Sequence, residues 1–204
     1  MLNTDLRLAA NQIQTIGQGL EAQSGDKVIQ LAGHFVTPGL FDLHAHIGVY
    51  SFPGDTFGGS DGNELTDPTF PQVRAIDAFD AFDPAIPQSI VAGVTASQIL
   101  PGSGNVMGGQ ALAVKYIGRT GNDMAITPAP VALKMACGEN PKRVYGQDLK
   151  QTPGSRMGIG WEMRKLLTAA TKLRDDKLDF CNNAKSTGRM PTDLALDNLV
   201  DLLQ

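Results

Sequence analysis

Cysteine, histidine and positive charge are all scarce in this 204-residue sequence, and these shortages exclude several classes of protein. The two cysteines, Cys137 and Cys181, are far apart and fit no C-x-x-C spacing, so neither a disulfide framework nor a cysteine-based zinc site is expected. The 17 Lys and Arg residues are outnumbered by 21 Asp and Glu residues, which gives a net charge of -4. Without a basic stripe to neutralise phosphates, no nucleic-acid partner is expected.

Long apolar runs are also absent. No stretch approaches the ~20 apolar residues of a membrane-spanning helix, so no membrane partner is expected. The N-terminal run MLNTDLRLAANQIQTIG lacks the basic and then apolar layout of a secretory signal. The cytoplasm is therefore the default location, while a periplasmic or secreted location stays open if a signal peptide lies upstream.

What the sequence does have is a hydrophobic fraction of 42% with 23 glycines and 12 prolines, which suits one sizeable core crossed by many loops. The apolar periodicity predicts helices on either side of Asp83-Pro84 and a long helix with Trp161 and Leu173 on its buried face. The predicted strands cover 11–17, 26–36, 40–49, 94–100, 111–118 and 129–136, and the two longest helices cover 161–183 and 192–204. The alternation from residue 38 onward predicts an α/β fold with parallel strands, preceded by a small β domain over residues 1–37.

Three loops separate these elements. Residues 50–72 are dense in Gly, Pro, Asp and Ser, and a loop of that length is usually functional or disordered. PGSGNVMGGQ, residues 101–110, is glycine-rich but fits neither G-x-G-x-x-G nor the P-loop pattern, which disfavours nucleotide binding. It is expected to line the mouth of a site, where its backbone amides could contact a substrate carboxylate. GENPKRVYGQ, residues 138–147, is predicted to be a polar loop.

Two of the three histidines, His44 and His46, lie in the apolar run TPGLFDLHAHIGV. Residues i and i+2 of a strand face the same side, so the two imidazoles, with Asp42 before them, would share one face. Two such nitrogens at a strand end can bind one divalent ion at about 2.0–2.1 Å. A pair that only forms hydrogen bonds is the alternative, but the position before a long loop favours a metal site. His34, in a predicted turn, is expected to be structural.

The run GHFVTPGLFDLHAHIG around these histidines closely resembles the signature of the amidohydrolase superfamily, G-x-x-V-x-P-G-h-h-D-x-H-x-H, in which h is apolar. Upstream, NQIQTIGQGLEAQSGDKVIQLAG resembles the small β-sandwich of that family. Downstream, VAGVTASQILPG resembles its second barrel strand, with Ala96 in place of the usual second threonine. The segments NELTDPTFPQVRAIDAFD and LKMACGENPKRVYG resemble the branch close to imidazolonepropionase-like and prolidase-like enzymes.

This resemblance implies both a fold and a chemistry. The chain would be the N-terminal part of a (β/α)8 TIM-like barrel over residues 38–204, preceded by part of a β-sandwich over residues 1–37. The implied activity is hydrolysis of carbon–nitrogen bonds in an amide, a cyclic amide or a dipeptide, by water bound to one or two divalent ions, with zinc as the first choice. His44 and His46 would bind the metal.

The resemblance also implies a further ligand, since members with two ions bridge them with a carboxylated lysine or a glutamate. Lys134, in an apolar strand, is the candidate, because burying an unpaired ammonium is costly and carboxylation would turn it into an anionic ligand. A lysine that buries only its stem and reaches solvent or a carboxylate is the alternative. Glu139 is the rival ligand. Lys142 and Arg143 are candidates for clamping an anionic substrate group, although a solvated loop accounts for each of them alone.

Finally, the resemblance implies residues that this sequence lacks. The superfamily uses two later histidines and a late aspartate as general base, whereas no histidine follows His46. A complete barrel takes ~250 residues, so the chain is expected to be a fragment, inactive alone, with its general base beyond Gln204. Open strand edges would favour a homo-oligomer, or the missing C-terminal half of the barrel, as a partner besides a small-molecule amide or peptide substrate. The alternatives are a non-catalytic module that binds a small anion and a half-barrel subunit completed by another chain.

Overall fold

The structure of the chain, a computed structural model, describes residues 4–54, 60–129, 132–183 and 188–203. The chain divides into two compact units, Met1–Pro38 and Gly39–Gln204, and the predicted division follows residue 37. The histidine pair belongs to the second unit, which therefore receives most of the description.

The first unit contains a β-hairpin. Strands β1 (Asp5–Ala9) and β2 (Gln12–Gly17) pair antiparallel around a two-residue turn, in which Ala10 and Asn11 have positive φ angles of 49° and 60°. Positive φ at both central residues lets a tight turn match the twist of the strands it joins. The hairpin confirms the strand predicted over 11–17.

The strands predicted over residues 26–36 are wrong, because this segment forms no regular element. Its apolar side chains are exposed, with Phe35 at 88%. Strand propensity reflects packing on a half-buried sheet, so β-branched and aromatic residues do not form strands by themselves. Of the β-sandwich expected over residues 1–37, the described residues form this one hairpin.

The second unit contains a three-stranded sheet that carries the histidines. Strand β3 (Leu40–Ala45) pairs parallel with β4 (Val94–Ile99), and β4 pairs antiparallel with β6 (Leu112–Lys115). The N–H of Leu100 donates to the carbonyl of Ala45 at 2.9 Å, which continues the parallel pairing past the end of both strands. A separate antiparallel pair is formed by β5 (Met107–Gln110) and β7 (Leu133–Met135).

The helices contribute to two separate core clusters. Helices α1 (Ala75–Ala78) and α2 (Ala85–Val91) lie on either side of Asp83-Pro84, as predicted. The others are α3 (Gly121–Met124), α4 (Glu139–Pro141), a π-helix (Lys142–Asp148), α5 (Arg156–Asn182) and α6 (Leu194–Leu202). One core cluster joins the main sheet to α2, and a second joins β5 to α5 and α6; their central residues are Ala45, Val49, Ile86, Ile99, Val114, Met107, Ala170 and Leu199.

Strand direction differs from the prediction at β6. A parallel partner for β4 would need a crossover of about a dozen residues, usually containing a helix. The segment between Ile99 and Leu112 holds β5 instead, and β6 returns antiparallel. The α/β class is therefore present, but the described strands are not all parallel.

Two side-chain environments also differ from the prediction. The expected polar loop over 138–147 forms α4 and most of the π-helix, because Tyr145 is fully buried and anchors the segment. Trp161 is 59% exposed, whereas Glu162 is buried. The buried face of α5 passes through Ile159, Glu162 and Leu173, so hydrophobicity alone misplaced its first turns.

The described residues form three small sheets of two, three and two strands and no closed barrel. None of the helices in this part of the chain is long and apolar enough to cross a membrane. The sheet edge at which β3 and β4 end together is where the histidines lie.

Candidate functional site

The C-terminal end of β3 presents His44 and His46 side by side. Their ring centroids lie 5.1 Å apart, and the ring planes meet at 83°. His44 belongs to the strand, while His46 follows its last residue and is half-buried. This separation is compatible with two ring nitrogens binding one ion.

The imidazole of His46 is held in one tautomer. Its Nδ1 lies 2.7 Å from the carbonyl oxygen of Leu100. Because a carbonyl only accepts, Nδ1 carries the proton and Nε2 keeps a free lone pair. Metal-binding histidines are commonly oriented by such a bond.

The pKa of His46 lies below its ordinary value, mainly because burial disfavours the charged ring. The hydrogen bond to Leu100 opposes this shift, while the positive charges of Lys134 and His44 add to it. A metal ligand has to be neutral, so the lowered pKa widens the pH range in which Nε2 is available.

Lys134 reaches the same place from β7. Its Nζ lies 3.4 Å from Nε2 of His44, and the residue is 8% exposed. Within the described ranges, His44 is the one side chain in hydrogen-bond distance of this amine, and no carboxylate forms an ion pair with it. Burial lowers the pKa of Lys134, since the ammonium loses hydration without gaining an anion. Among the described residues, Lys134 therefore does not reach a carboxylate, which was the alternative considered for it.

Two carboxylates shape the backbone around the pair. Asp42 accepts a hydrogen bond from the N–H of His44 at 3.0 Å. Asp83, 0% exposed, accepts from the N–H groups of Gly48 and Ala85, both at 2.8 Å. Residues 4–54, 60–129, 132–183 and 188–203 contain no cluster of three or more His, Cys, Asp or Glu side chains suited to a metal. The lysine is thus the side chain that adds to the histidine pair.

The turn after His46 depends on Gly48. Its φ is +80°, and a Cβ there would lie 2.6 Å from the ring of Phe79. The carbonyl of Gly48 also accepts a hydrogen bond from the N–H of Asp80 at 2.9 Å. The connection between α1 and α2 therefore determines how the chain leaves the histidine pair.

Of the two basic residues considered as a clamp for an anion, Arg143 is paired with carboxylates and Lys142 is exposed to solvent. Arg143 forms ion pairs with Glu139 at 3.5 Å and with Asp148 at 3.2 Å, and all three side chains are largely exposed. Lys142 is exposed at the start of the π-helix. In the described part of the chain, none of Glu139, Lys142 and Arg143 has a hydrogen bond or ion pair with the histidines. The roles of Glu139 as a ligand and of the two basic residues as a clamp therefore gain no geometric support.

Three backbone amides of the glycine-rich segment 101–110, whose last four residues form β5, donate hydrogen bonds within the protein. The N–H of Gly102 donates to the carbonyl of Gly62 at 2.7 Å, and those of Val106 and Met107 donate to Pro68 at 2.8 and 3.3 Å. These three hydrogen bonds connect the glycine-rich segment to residues 60–70. These three amides are therefore not available to bind a small anion.

Sequence reasoning missed the polar residues that order the site. Tyr50 contacts the ring of His46, and Asn63, Asn105 and Tyr145 continue from it in a chain of hydrogen bonds. For Tyr50 the one available signal is its position four residues after His46. Asparagines in loops are too common for a single sequence to distinguish Asn63 and Asn105 from solvated turn residues.

Comparison with known proteins gives matches of two lengths. No protein-family model matches the chain. An amidohydrolase, tasK, of Hapsidospora irregularis is 37% identical over 166 residues, which cover 76% of this chain and 17% of that protein. Dihydroorotases of Geotalea daltonii and Bacillus pumilus are 46% and 49% identical over 43 residues, which cover 21% of this chain and 10% of each protein.

A solved structure matches over most of the chain. The crystal structure of an amidohydrolase from Thermotoga maritima MSB8 is similar with a TM-score of 0.84 and 36% identity. The match covers 95% of this chain and 49% of that one. The chain thus spans about half the length of this solved relative, and less of the curated relatives.

Proposed function

The chain belongs to the amidohydrolase superfamily, and we propose that the protein containing it is a metal-dependent hydrolase that cleaves carbon–nitrogen bonds. We propose a (β/α)8 barrel for the whole protein, with β3 and β4 as its first two strands. Active sites of such barrels lie at the C-terminal ends of the strands. His44 and His46 stand at that end of β3, which supports placing the reaction there.

The observation that carries the proposal is the meeting of His44, His46 and Lys134 at one strand end. Burial lowers the pKa of His46 and that of Lys134, which favours the neutral forms of these two groups. A divalent ion is the ligand that suits neutral imidazoles, and zinc binds imidazole nitrogens readily. The residues present therefore fit the metal that the family implies.

Each residue has a distinct role in the proposal. His46 offers Nε2 because Leu100 occupies Nδ1, and His44 offers the Nε2 that faces Lys134. The neutral amine of Lys134 would add to carbon dioxide, forming an N–C bond and releasing one proton, and the resulting carbamate would be an anionic ligand shared by two ions. A bound divalent ion supplies a water of lowered pKa and polarises the scissile carbonyl. We expect the general-base aspartate from outside these 204 residues.

The substrate we propose is a small molecule with an amide, cyclic amide or dipeptide bond. Five of the curated relatives are named dihydroorotase, which supports including cyclic amides. The barrel would be completed by a further part of the same protein or by another chain. A half-barrel subunit and a homo-oligomer both remain within this proposal.

Metal content tests the proposal directly. The protein would be loaded with zinc, freed of excess metal by gel filtration and analysed for bound ions. We expect at least one ion per chain, and we expect a His44→Ala/His46→Ala double variant to lose it. His34→Ala is the matched control, because His34 is exposed in the first unit and its Nδ1 lies 3.2 Å from the carbonyl of Ala32. Equal metal content in the double variant and the wild type would remove these histidines from the proposed site.

Activity is the second test, made on the longest natural form of the protein. A panel of cyclic amides and dipeptides would be assayed with zinc and after chelation. We expect hydrolysis that is lost in the double variant and retained in His34→Ala. Hydrolysis that survives both chelation and the double substitution would contradict a metal-activated water.

A further inference from the structure

A series of polar side chains runs from the candidate metal site into the interior of the second unit. The ring of Tyr50 packs edge to face against the imidazole of His46, with centroids 5.6 Å apart and planes at 82°. The Tyr50 hydroxyl donates to Oδ1 of Asn63 at 2.6 Å. Asn63 in turn donates through Nδ2 to Oδ1 of Asn105 at 2.7 Å. The position of the tyrosine ring is thus coupled to two amides.

Asn105 is the fixed end of this series. It is 1% exposed, and the two N–H groups of its Nδ2 are shared among three acceptors: the carbonyls of Glu64 and Asp67, at 2.5 and 3.0 Å, and the Tyr145 hydroxyl at 3.0 Å. Tyr145 donates its own hydroxyl proton to the carbonyl of Asp67 at 2.7 Å. An amide has one donor end and one acceptor end, so flipping Asn105 would place its Oδ1 against the carbonyl oxygens of Glu64 and Asp67. Buried polar groups that lose a partner are costly, which holds the orientation in place.

Two glycines form the slot that receives Tyr50. A Cβ at Gly62 would lie 2.3 Å from the Tyr50 ring, and one at Gly102 would lie 2.0 Å from its hydroxyl oxygen. Neither glycine has a positive φ, so close approach and not backbone conformation accounts for both. The slot and the hydrogen bonds therefore specify the same position of the tyrosine.

We propose that Tyr50 is a positioning residue that sets the tilt of the His46 imidazole, and that Asn63 and Asn105 hold Tyr50 for this purpose. The hydrogen bond from Nδ1 to Leu100 fixes which nitrogen is free, but it allows the ring to pivot about that bond. The Tyr50 ring, nearly perpendicular to the imidazole, blocks this rotation. The proposal rests on the proposed function in one respect, namely that His46 Nε2 faces a metal.

The test separates the hydroxyl of Tyr50 from its ring. Tyr50→Phe keeps the ring and removes the bond to Asn63, while Tyr50→Leu removes both. The matched control is Tyr116→Phe, because Tyr116 is buried and its hydroxyl donates to Oγ of Ser97 at 2.8 Å, outside the series. Two quantities would be measured in each variant: the Kd for Co²⁺ from its visible spectrum, and the imidazole ¹⁵N chemical shifts of His46 in the metal-free protein.

We expect Tyr50→Phe to raise the Kd about tenfold and Tyr50→Leu by about tenfold to a hundredfold, the usual range for residues that orient a ligand. We expect Tyr116→Phe to leave the Kd unchanged. The His46 ¹⁵N shifts should move in both Tyr50 variants and stay in place in the control. If Tyr50→Leu does not fold, Tyr50→Phe alone decides, with its urea midpoint compared with that of Tyr116→Phe.

The outcomes separate this proposal from the proposed function. A Kd and a His46 spectrum in Tyr50→Phe that match those of Tyr116→Phe would overturn the positioning role, even if the metal binds tightly. A wild-type protein that binds neither Co²⁺ nor Zn²⁺ would remove the metal from the proposed function. The ¹⁵N comparison would then decide by itself whether Tyr50 orients His46.

Discussion

The Nζ atom of Lys134 lies 3.4 Å from Nε2 of His44, although the two residues are 90 positions apart in the sequence. The contact joins the end of β3 to β7, two strands that belong to different sheets. A buried amine whose side-chain partner is an imidazole and not a carboxylate gains little electrostatic stabilisation, so packing alone does not account for a lysine at this position. A ligand or a covalent modification that uses the amine would account for it.

Replacing Lys134 by methionine is expected to weaken metal binding while preserving the fold. Methionine keeps most of the buried volume and removes the amine. We expect the zinc content to fall by one ion per chain if the site holds two, or the Kd to rise at least tenfold if it holds one. Lys115→Met is the control, since Lys115 ends β6 with an exposed side chain.

Carboxylation of Lys134 can be detected separately from metal binding. Protein prepared with ¹³C-labelled bicarbonate should show a carbamate carbon signal that is absent from Lys134→Met and present in Lys115→Met. If the protein binds two zinc ions but shows no carbamate signal, the ligand shared by the two ions must be a residue other than Lys134.

The pH dependence of stability should report His46 in the metal-free protein. Because its folded-state pKa lies below the ordinary value of 6.5, the unfolded chain binds the proton first as pH falls. The stability contribution of the neutral ring is therefore complete above pH 6.5 and is lost as pH falls from there through the folded-state pKa. Urea unfolding between pH 8 and pH 5 would measure this loss.

Two histidine variants test whether His46 causes the loss of stability at low pH. His46→Gln should flatten the decrease in unfolding free energy below pH 6.5, because the group that titrates is gone. His34→Gln should leave the decrease as it is in the wild type. An identical decrease in all three proteins would assign the acid sensitivity to other groups.

The buried carboxylate of Asp83 should contribute strongly to stability. Asp83→Ala would leave the N–H groups of Gly48 and Ala85 without their acceptor in the interior, at a cost of about 3 kcal/mol. Asp80→Ala is a close comparison, because Asp80 accepts the N–H of Phe82 at 2.8 Å on the exposed surface. There we expect a change of about 0.5 kcal/mol. Urea denaturation curves give both values, and equal losses would contradict a special role for burial at Asp83.

The sequence was sufficient for the elements and residues that depend on local pattern. The strand of His44, the helices around Asp83-Pro84 and the long helix α5 all follow from hydrophobic periodicity, and the i, i+2 spacing brings the two rings together. The signature around the histidines was sufficient for the family. These features depend on residues close to one another in the chain.

What could not be predicted depends on contacts between distant residues. No local pattern shows that β6 is antiparallel to β4. The direction of β6 depends on whether the segment between the two strands forms a crossover helix, and this segment forms β5 instead. The burial of Tyr145 that turns a polar segment into a π-helix comes from partners at Asp67 and Asn105. The strands expected over 26–36 failed for the complementary reason, since residues with strand propensity had no sheet to join.

The slot for Tyr50 gives a final prediction, in which one type of substitution has opposite effects at two positions. Gly102→Ala would place a Cβ 2.0 Å from both Oδ1 of Asn63 and the Tyr50 hydroxyl, so both groups must move, and we expect a loss of about 1–3 kcal/mol. Gly160→Ala lies within α5, where the nearest atoms belong to the flexible end of Arg164, at 3.3 Å. Alanine is the better helix former, so we expect a gain of about 0.5–1 kcal/mol there. Thermal and urea unfolding would measure both, and a neutral Gly102→Ala would show that Tyr50 is not confined by this slot.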